Sequence, residues 1–280
     1  MMLAQGWLTP DDKYVVLRSL PNDDCAVAHE ASVQDRDAHV WLEALEPDPI
    51  QSDRPRLEEL EAIEASRALH HPRLAPLLDT GIGEGNTVFV TRPLPPGQSA
   101  VDWRSARTQI PVATACAIGA ALAEALGEAH ARGVVHGAIA PEWIRFGEGD
   151  PPDSLLLYGL GTATLGPTPK TVGRPPELLA GHRPDQSSDV WGVAATVTWL
   201  LLGTALGRAG EPLTWPAMVP ASLRELLETN LSPDRSRRSP SVRALAVELT
   251  IQYGRLTQAA LTAPIAQRSP IPALMPASGE

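Results

Sequence analysis

The hydrophobic pattern of this 280-residue chain changes its period at a proline-rich connector. From Tyr14 to about Leu94, short apolar runs alternate with polar turns, which is typical of strands. The connector is the segment from Arg92 to Gly97, which contains three prolines. Beyond it, Ile118, Leu122 and Leu126 recur at helical spacing. The sequence therefore predicts an α+β chain with a small β-rich part followed by a larger, mainly helical part.

The β-rich part is predicted to contain five strands and one helix. The helix, Leu57 to Leu69, is rich in Glu, Ala and Leu and ends before His70-His71-Pro72. Three strands precede the helix and two follow it. The predicted strands are Tyr14 to Leu20, Ala26 to Ala31, His39 to Leu45, Leu74 to Leu78 and Thr87 to Thr91.

The second part is predicted to be built around a buried helix. The segment from Ser187 to Gly203 is apolar on nearly all sides, which in a soluble protein indicates a helix inside the core. Further helices are predicted from Ala221 to Leu231 and from Ser241 to Leu256. The domain organisation that follows is an N-terminal extension at 1–12, the β-rich part at 13–95, the helical part at 96–257 and a disordered proline-rich tail at 258–280.

Composition narrows the classes of function. The formal net charge is -10, which lacks the basic footprint that nucleic acids and anionic membranes require. The longest apolar run, Val193 to Leu202, is about half of what a bilayer span needs, and the N-terminus lacks the pattern of a signal peptide. Two cysteines, Cys25 and Cys116, are read as structural thiols of a reducing compartment. We expect a cytoplasmic protein with no membrane insertion and no nucleic-acid partner.

Five short motifs resemble, in the same order, those of the bacterial serine/threonine protein kinases of eukaryotic type. They are HGAIAPEWI at 136–144, LLLYGLG at 155–161, PPE at 175–177, SDVWG at 188–192 and SPDRSRR at 232–238. The resemblance covers residues 13–257. It implies the bilobal protein kinase fold, with a small five-stranded antiparallel N-lobe and a larger, mainly helical C-lobe.

The resemblance assigns structural roles to four residues. Glu177 matches a glutamate that pairs in the family with a buried arginine, here Arg238. Asp189 matches an aspartate whose carboxylate accepts backbone N–H groups from the catalytic loop. His136, at the first position of that loop, packs in the family's core and does not react.

The same resemblance places unreactive side chains at the positions of chemistry. In the family, an aspartate of the catalytic loop takes the proton of the substrate hydroxyl, and an asparagine holds a magnesium ion. Here those positions hold Ala138 and Trp143, and Ala140 between them is also a degenerate position. Gly159 stands where a second metal-binding aspartate belongs. A methyl group cannot accept a proton, and an indole cannot coordinate a hard cation.

The positions that bind the nucleotide in the family also hold residues unsuited to that role. Glu43 stands where the family has its phosphate-binding lysine, and residues 20–26, which correspond to the glycine-rich loop, contain no glycine. Trp41 replaces the alanine that lines the adenine pocket, so its side chain is predicted to fill that space. The alternative is a shifted strand register in which Trp41 faces solvent.

The leading hypothesis is a pseudokinase, which is a kinase-like signalling or scaffold module that binds another protein without transferring phosphate. No cofactor and no metal are expected under it. The alternative is a divergent serine/threonine kinase that binds ATP and magnesium through non-standard residues, with Arg18 as a remote substitute for the lysine. A third possibility is nucleotide binding without transfer.

Overall fold

The computed structural model describes seven stretches of the chain, which are residues 3–9, 11–20, 28–45, 63–83, 87–163, 169–207 and 210–262. Within them, a five-stranded antiparallel sheet forms the N-lobe, and helices with a small three-stranded sheet form the C-lobe. The predicted α+β class, with its division into a small β-rich lobe and a larger helical lobe, is therefore confirmed.

The N-lobe sheet has the strand order β1-β2-β3-β5-β4. A short helix, α1 (residues 63–67), precedes β4 and ends two residues before the predicted end at Leu69. Residues 57–62 of the predicted helix lie outside the described residues. The strands are β1 Tyr14–Ser19, β2 Ala28–Val33, β3 His39–Leu45, β4 Asp79–Ile82 and β5 Val88–Pro93.

The predicted strand at Leu74 to Leu78 is wrong. Leu74 forms only an isolated parallel bridge with Leu157 of the C-lobe, and the fourth strand lies just beyond this segment, at Asp79–Ile82. Leu74 and Leu77 are both buried. The run is apolar because it packs between the lobes, and burial without strand pairing gives the same sequence signal as a short strand.

The N-terminal extension belongs to the N-lobe core. The Gly6 N–H donates to the Val16 carbonyl at 2.8 Å, and the Val16 N–H donates to the Trp7 carbonyl at 2.9 Å. Leu3 is buried and clusters with apolar residues of the sheet such as Tyr14. This segment therefore covers β1, which would otherwise be an open edge of the sheet.

The C-lobe core consists of three helices, α3, α5 and α7. Helix α3 packs against both α5 and α7, and Gly119 makes this close approach possible, since a Cβ there would lie 2.3 Å from Val197 Cγ2. The C-lobe elements are β6 Gln98–Ser99, α2 Ala100–Ser105, α3 Val112–His130, β7 Ile144–Phe146, β8 Leu155–Leu157, α4 Pro176–Leu179, α5 Gln186–Leu202, α6 Ala221–Asn230 and α7 Val242–Thr262.

Helix α3 is the one helix, among the residues described above, that is long and apolar enough to cross a membrane. Most of it is buried inside the C-lobe, which is also true of core helices in soluble proteins.

Helix α5 has clear boundary signals. The Asp185 carboxylate accepts the backbone N–H groups of Ser187 and Ser188, and the Ser188 hydroxyl accepts the Asp185 N–H, which is a capping box. The helix ends at Gly203, whose φ of 73° is left-handed.

Helix α7 continues past the predicted end of the helical part. It reaches Thr262, so the prediction of disorder from residue 258 onward is wrong for residues 258–262. The sequence TQAALT at 257–262 contains no proline and includes good helix formers, and the next proline is Pro264. Residues 263–280 lie outside the described part of the chain.

Candidate functional site

The catalytic-loop segment is anchored to the first turn of α5 by Asp189. Its buried carboxylate accepts the backbone N–H of His136 at 2.9 Å and that of Gly137 at 2.7 Å, and it lies 2.7 Å from His130 Nε2. Hydrogen bonds to a charged group are each worth about 1.5 to 3 kcal/mol. Asp189 therefore holds the loop in place through the backbone contacts that the family resemblance implies for it.

His136 is a buried positioning residue of the loop. Its Nδ1 accepts the Ala138 N–H at 3.3 Å, so its proton lies on Nε2 and is donated to the Tyr158 carbonyl at 2.9 Å. Burial lowers the pKa of His136, and the carboxylate of Asp189 opposes this only in part. The imidazole is therefore neutral and joins the loop to Tyr158, the residue that follows β8.

A second buried anchor joins α4 to the segment that precedes α7. Arg238 Nη1 donates to Glu177 Oε1 at 2.8 Å, and Nη2 donates to Oε2 at 2.9 Å. The Ser188 hydroxyl adds a third hydrogen bond at 2.8 Å. Burial opposes ionisation of Glu177, but the hydrogen bonds from Arg238 and Ser188 and its own backbone N–H together lower its pKa. The carboxylate is thus ionised and bidentately paired.

The positions of chemistry within the loop are packed with apolar side chains. Ala138 and Ala140 are both buried in the C-lobe core. Trp143 is 2% exposed and stands edge-on to the His136 ring, with 6.2 Å between ring centroids. Its indole N–H has no hydrogen-bond partner in the described stretches. The loop thus presents methyl groups and an indole where the kinase motif presents an acid and an amide.

The Trp143 indole fills the space next to Gly159. A Cβ built on Gly159 would lie 2.6 Å from Trp143 Cε3 and 2.7 Å from Cδ2, closer than side-chain atoms pack. Gly159 also has a φ of 83°, which L-residues rarely adopt. An aspartate at position 159 would collide with the indole, so position 159 must be glycine while position 143 holds tryptophan.

Trp41 is buried between the lobes and does not face solvent. It is 7% exposed, and its ring centroid lies 5.7 Å from that of Tyr158 in the C-lobe. The Arg145 guanidinium lies 5.5 Å from the same indole, in a cation–π contact. The shifted register in which Trp41 faces solvent is therefore wrong.

Glu43 lies on the same face of β3 as Trp41, as their spacing of two requires. Its buried Oε1 accepts the Trp41 indole N–H at 3.0 Å. Its Oε2 has no hydrogen-bond partner within the described residues. The carboxylate at the lysine position is thus held inside the protein, next to the indole.

The residue that completes this arrangement is Arg92, which the sequence placed in the connector. It belongs instead to β5, directly opposite Trp41, and its side chain is fully buried. Nη1 donates to the Ala75 carbonyl at 3.1 Å, and Nη2 donates to the Leu160 carbonyl at 2.6 Å. Its Nε lies 3.7 Å from Glu43 Oε1.

We call Trp41, Glu43, Arg92 and Tyr158 the interlobe cluster. Arg92 joins the N-lobe sheet to Leu160, the residue after Gly159, and the Tyr158 hydroxyl donates to the Pro93 carbonyl at 3.0 Å. Burial lowers the pKa of Arg92, and burial raises the pKa of Tyr158. The cluster therefore connects the two lobes through the protein's own side chains.

Glu142 is a further residue that motif matching missed. Its buried carboxylate accepts the backbone N–H groups of Lys170 and Thr171, both at 2.9 Å, and the Thr171 hydroxyl. It therefore ties the segment before Pro175 to the catalytic loop. A glutamate inside the loop motif gave no sign of this contact, because its partners lie about 30 residues further along the chain.

Arg18, the remote substitute for the missing lysine, is engaged elsewhere, and so is Lys13, one of the two lysines of the chain. Lys13 pairs with Asp79 of β4. Arg18 Nε donates to Glu30 Oε2 of β2 at 2.7 Å. In the counterpart of the glycine-rich loop, at 20–26, all residues after Leu20 lie outside the described residues, Cys25 among them. Cys116 is buried, which raises the pKa of its thiol to about 12.

The residues present do not fit a magnesium nucleotide. The metal-binding positions of the motif hold an indole and a glycine in mutual contact, and neither supplies the oxygen ligands that magnesium prefers. Where the structure describes the chain, no group of three or more His, Cys, Asp or Glu residues is placed to hold a metal ion. The buried Glu43 carboxylate would repel phosphate groups.

Solved structures of one bacterial kinase are similar to this chain over nearly its whole length. A mutant form of the Mycobacterium tuberculosis PknI kinase domain has 25% sequence identity and a TM-score of 0.75, and the match covers 90% of this chain and 99% of that one. A further structure of the PknI kinase domain has 26% identity and a TM-score of 0.73, and the match covers 90% and 100%.

No protein-family model matches the sequence, and no curated protein matches it. The assignment therefore depends on the fold, on the order of the motifs and on these structural neighbours. Together they confirm the bilobal protein kinase fold and support placing this chain with the serine/threonine protein kinases.

Proposed function

We propose that this chain is a pseudokinase, a kinase-like domain that acts by binding another protein and does not transfer phosphate. The observation that carries the proposal is the contact between Trp143 and Gly159, since the indole occupies the space that a metal-binding side chain at position 159 would need. Substituting one of them alone would not rebuild the site.

The energetics of phosphoryl transfer support the proposal. The protein contributes to this reaction almost entirely through positioning and charge. A single well-placed donor can be worth about 10² to 10³ in rate, and this chain lacks the base, both metal ligands and the lysine at once. Because residues that act as a unit do not contribute additively, we expect turnover near background.

The interlobe cluster supports the absence of a nucleotide cofactor. A purine at Trp41 would have to displace the indole from its contacts with Tyr158 and Glu43. Overpacking of this kind typically costs 1 to 3 kcal/mol. Arg92 already supplies a positive charge in this region, and its contacts with Leu160 and Ala75 connect the lobes without a ligand.

A role in protein binding agrees with what the chain retains. The scaffold contacts of Asp189 and of the Glu177–Arg238 pair are intact, so a stable surface is available. The net charge of -10 favours a partner with basic character over nucleic acid. We place this function in the cytoplasm.

The test is a phosphotransfer assay with the purified chain, radiolabelled ATP, magnesium or manganese, and a generic protein substrate. We expect no incorporation above that of a Glu43→Ala variant prepared in the same way. Incorporation that follows the protein through purification and is lost in Glu43→Ala would overturn the proposal, because a contaminating kinase would not respond to that substitution.

A further inference from the structure

A groove in the C-lobe lies apart from the interlobe cluster, between the segment that follows α5 and the residues of α6. It encloses about 640 Å³, within the usual range of ligand pockets. Apolar side chains contribute to its walls, including Trp191 of α5, Leu213 and Leu231. Leu213 and Leu231 are only half-buried, so their apolar surface is accessible to a bound peptide. We call this the C-lobe groove.

The rim of the C-lobe groove is acidic. Glu211, Glu225 and Glu228 are exposed there, against one exposed cation in the described lining, Arg237. The indole N–H of Trp215 donates to Glu228 Oε1 at 2.6 Å, which holds this carboxylate at a fixed position. Three carboxylates at the rim of an apolar groove favour a ligand that carries both positive charge and apolar side chains.

The wall of the groove also contains an unsatisfied donor. Trp191 is 3% exposed, and its indole N–H has no hydrogen-bond partner in the described part of the chain. A buried donor without a partner costs about 1 to 3 kcal/mol. The backbone carbonyl of a bound peptide is a suitable acceptor if the groove adjusts around it.

We propose that the C-lobe groove binds a segment of the partner protein in which arginine or lysine stands next to apolar side chains. This inference rests on the proposed function, because it names the chemistry of the partner of that binding module. The volume accommodates a few side chains, the walls match apolar ones, and the rim matches basic ones. Because the rim charges are exposed, affinity should fall as salt concentration rises.

The probe is a displayed library of random seven-residue peptides, panned against the full chain. The enriched peptides are then synthesised with a fluorescent label, and their affinity is measured by polarisation. We expect enriched sequences that combine Arg or Lys with apolar residues. Glu225→Arg should weaken their binding about fivefold, the scale of one exposed ion pair. Trp191→Phe should weaken binding by a similar factor because it removes the donor.

The matched control is Glu124→Arg, which makes the same change at an exposed glutamate of α3 outside the groove. It should leave affinity unchanged. The inference is overturned if panning enriches no peptide, if the enriched peptides are acidic, or if Glu225→Arg has no larger effect than Glu124→Arg. Phosphate transfer to a bound peptide would instead overturn the proposed function and leave the groove assignment standing, so the two failures are distinguishable.

Discussion

In the described part of this protein, two buried pairs of arginine and glutamate differ in how completely their hydrogen bonds are made. In the C-lobe, Arg238 and Glu177 meet through two parallel bonds of 2.8 and 2.9 Å, with Ser188 as a further donor. In the interlobe cluster, Arg92 Nε and Glu43 Oε1 are 3.7 Å apart, and Arg92 Nε and Glu43 Oε2 have no hydrogen-bond partner among the described residues.

The difference separates two kinds of site. The Glu177–Arg238 pair has the geometry of a bidentate anchor whose function is to hold backbone segments together. In the Glu43–Arg92 pair, Glu43 stands where the kinase motif places the phosphate-binding lysine, and Arg92 donates its hydrogen bonds to the carbonyls of Ala75 and Leu160. Charged groups are therefore retained with full partners where they support the scaffold, and are rearranged where they would serve chemistry.

The largest expected effect is at the anchor pair. Arg238→Ala should lower the free energy of unfolding by about 3 to 5 kcal/mol, because it leaves the Glu177 carboxylate buried without its partner. Urea denaturation measures this, with Arg237→Ala at an exposed neighbouring position as the control. Equal stability of the two variants would show that the anchor does not hold the C-lobe.

The second effect tests the interlobe cluster. Arg92→Met should cost roughly 3 kcal/mol, because Glu43 is then a buried charge without a cation. Adding Glu43→Gln should recover part of this, since glutamine keeps an oxygen for the Trp41 indole but carries no charge. A double-mutant cycle from urea denaturation gives the coupling energy. A coupling energy near zero would mean that the two groups do not act as a pair.

The third effect isolates the contact between Trp143 and Gly159. Gly133 and Gly159 both have positive φ, at 75° and 83°, but a Cβ on Gly133 would have no atom within 4 Å. Gly133→Ala should therefore cost about 1 to 2 kcal/mol from backbone strain alone. Gly159→Ala should cost about 1 to 3 kcal/mol more, from overpacking against the indole. Equal costs for the two variants would contradict the packing of Trp143 described above.

The smallest effect is a loss of stability in acid. The folded-state pKa of His136 is lowered by burial, so the unfolded chain binds more protons there below the ordinary value of 6.5. Stability should then fall as pH drops from 6.5, by up to about 1.4 kcal/mol per pH unit for one full proton. Glu177, whose pKa is also lowered, adds to this loss only below its ordinary value of 4.5.

Urea denaturation at pH 7.5 and pH 5.5 measures the loss, since this interval crosses the ordinary pKa of His136 and stays above that of Glu177. In a His136→Gln variant, the difference in stability between the two pH values should be smaller. A wild-type stability that is the same at both pH values would show that His136 keeps an ordinary pKa in the folded chain.

Much of the fold could be read from local patterns. β3 matches the prediction at both ends, and α5 lies within one residue of its predicted bounds. A short, mostly apolar run and an all-round apolar helix with a glycine at its end are strong signals. The prediction of a strand at 74–78 was wrong because a segment buried between the lobes has the same apolar sequence pattern as a short strand. The end of α7 was missed because prolines further along the tail weighed against helix-forming residues at 258–262.

The site was only partly readable, for a physical reason. The motifs identified Ala138, Trp143 and Gly159 one by one, but their mutual packing depends on tertiary distances that no local pattern contains. Arg92 shows this most clearly. Its neighbouring prolines suggested a linker, whereas its role comes from strand pairing with Trp41 and from carbonyls of Ala75 and Leu160.

The measurement that tests the central claim most directly is a thermal-shift titration of the full chain with ATP, with and without magnesium. A ligand at 100 times its dissociation constant would stabilise the folded chain by about 2.7 kcal/mol. We expect the melting temperature to stay unchanged across the titration. A saturable rise that depends on magnesium and is abolished by Glu43→Ala would contradict the claim that this chain keeps the kinase scaffold but has lost the nucleotide site.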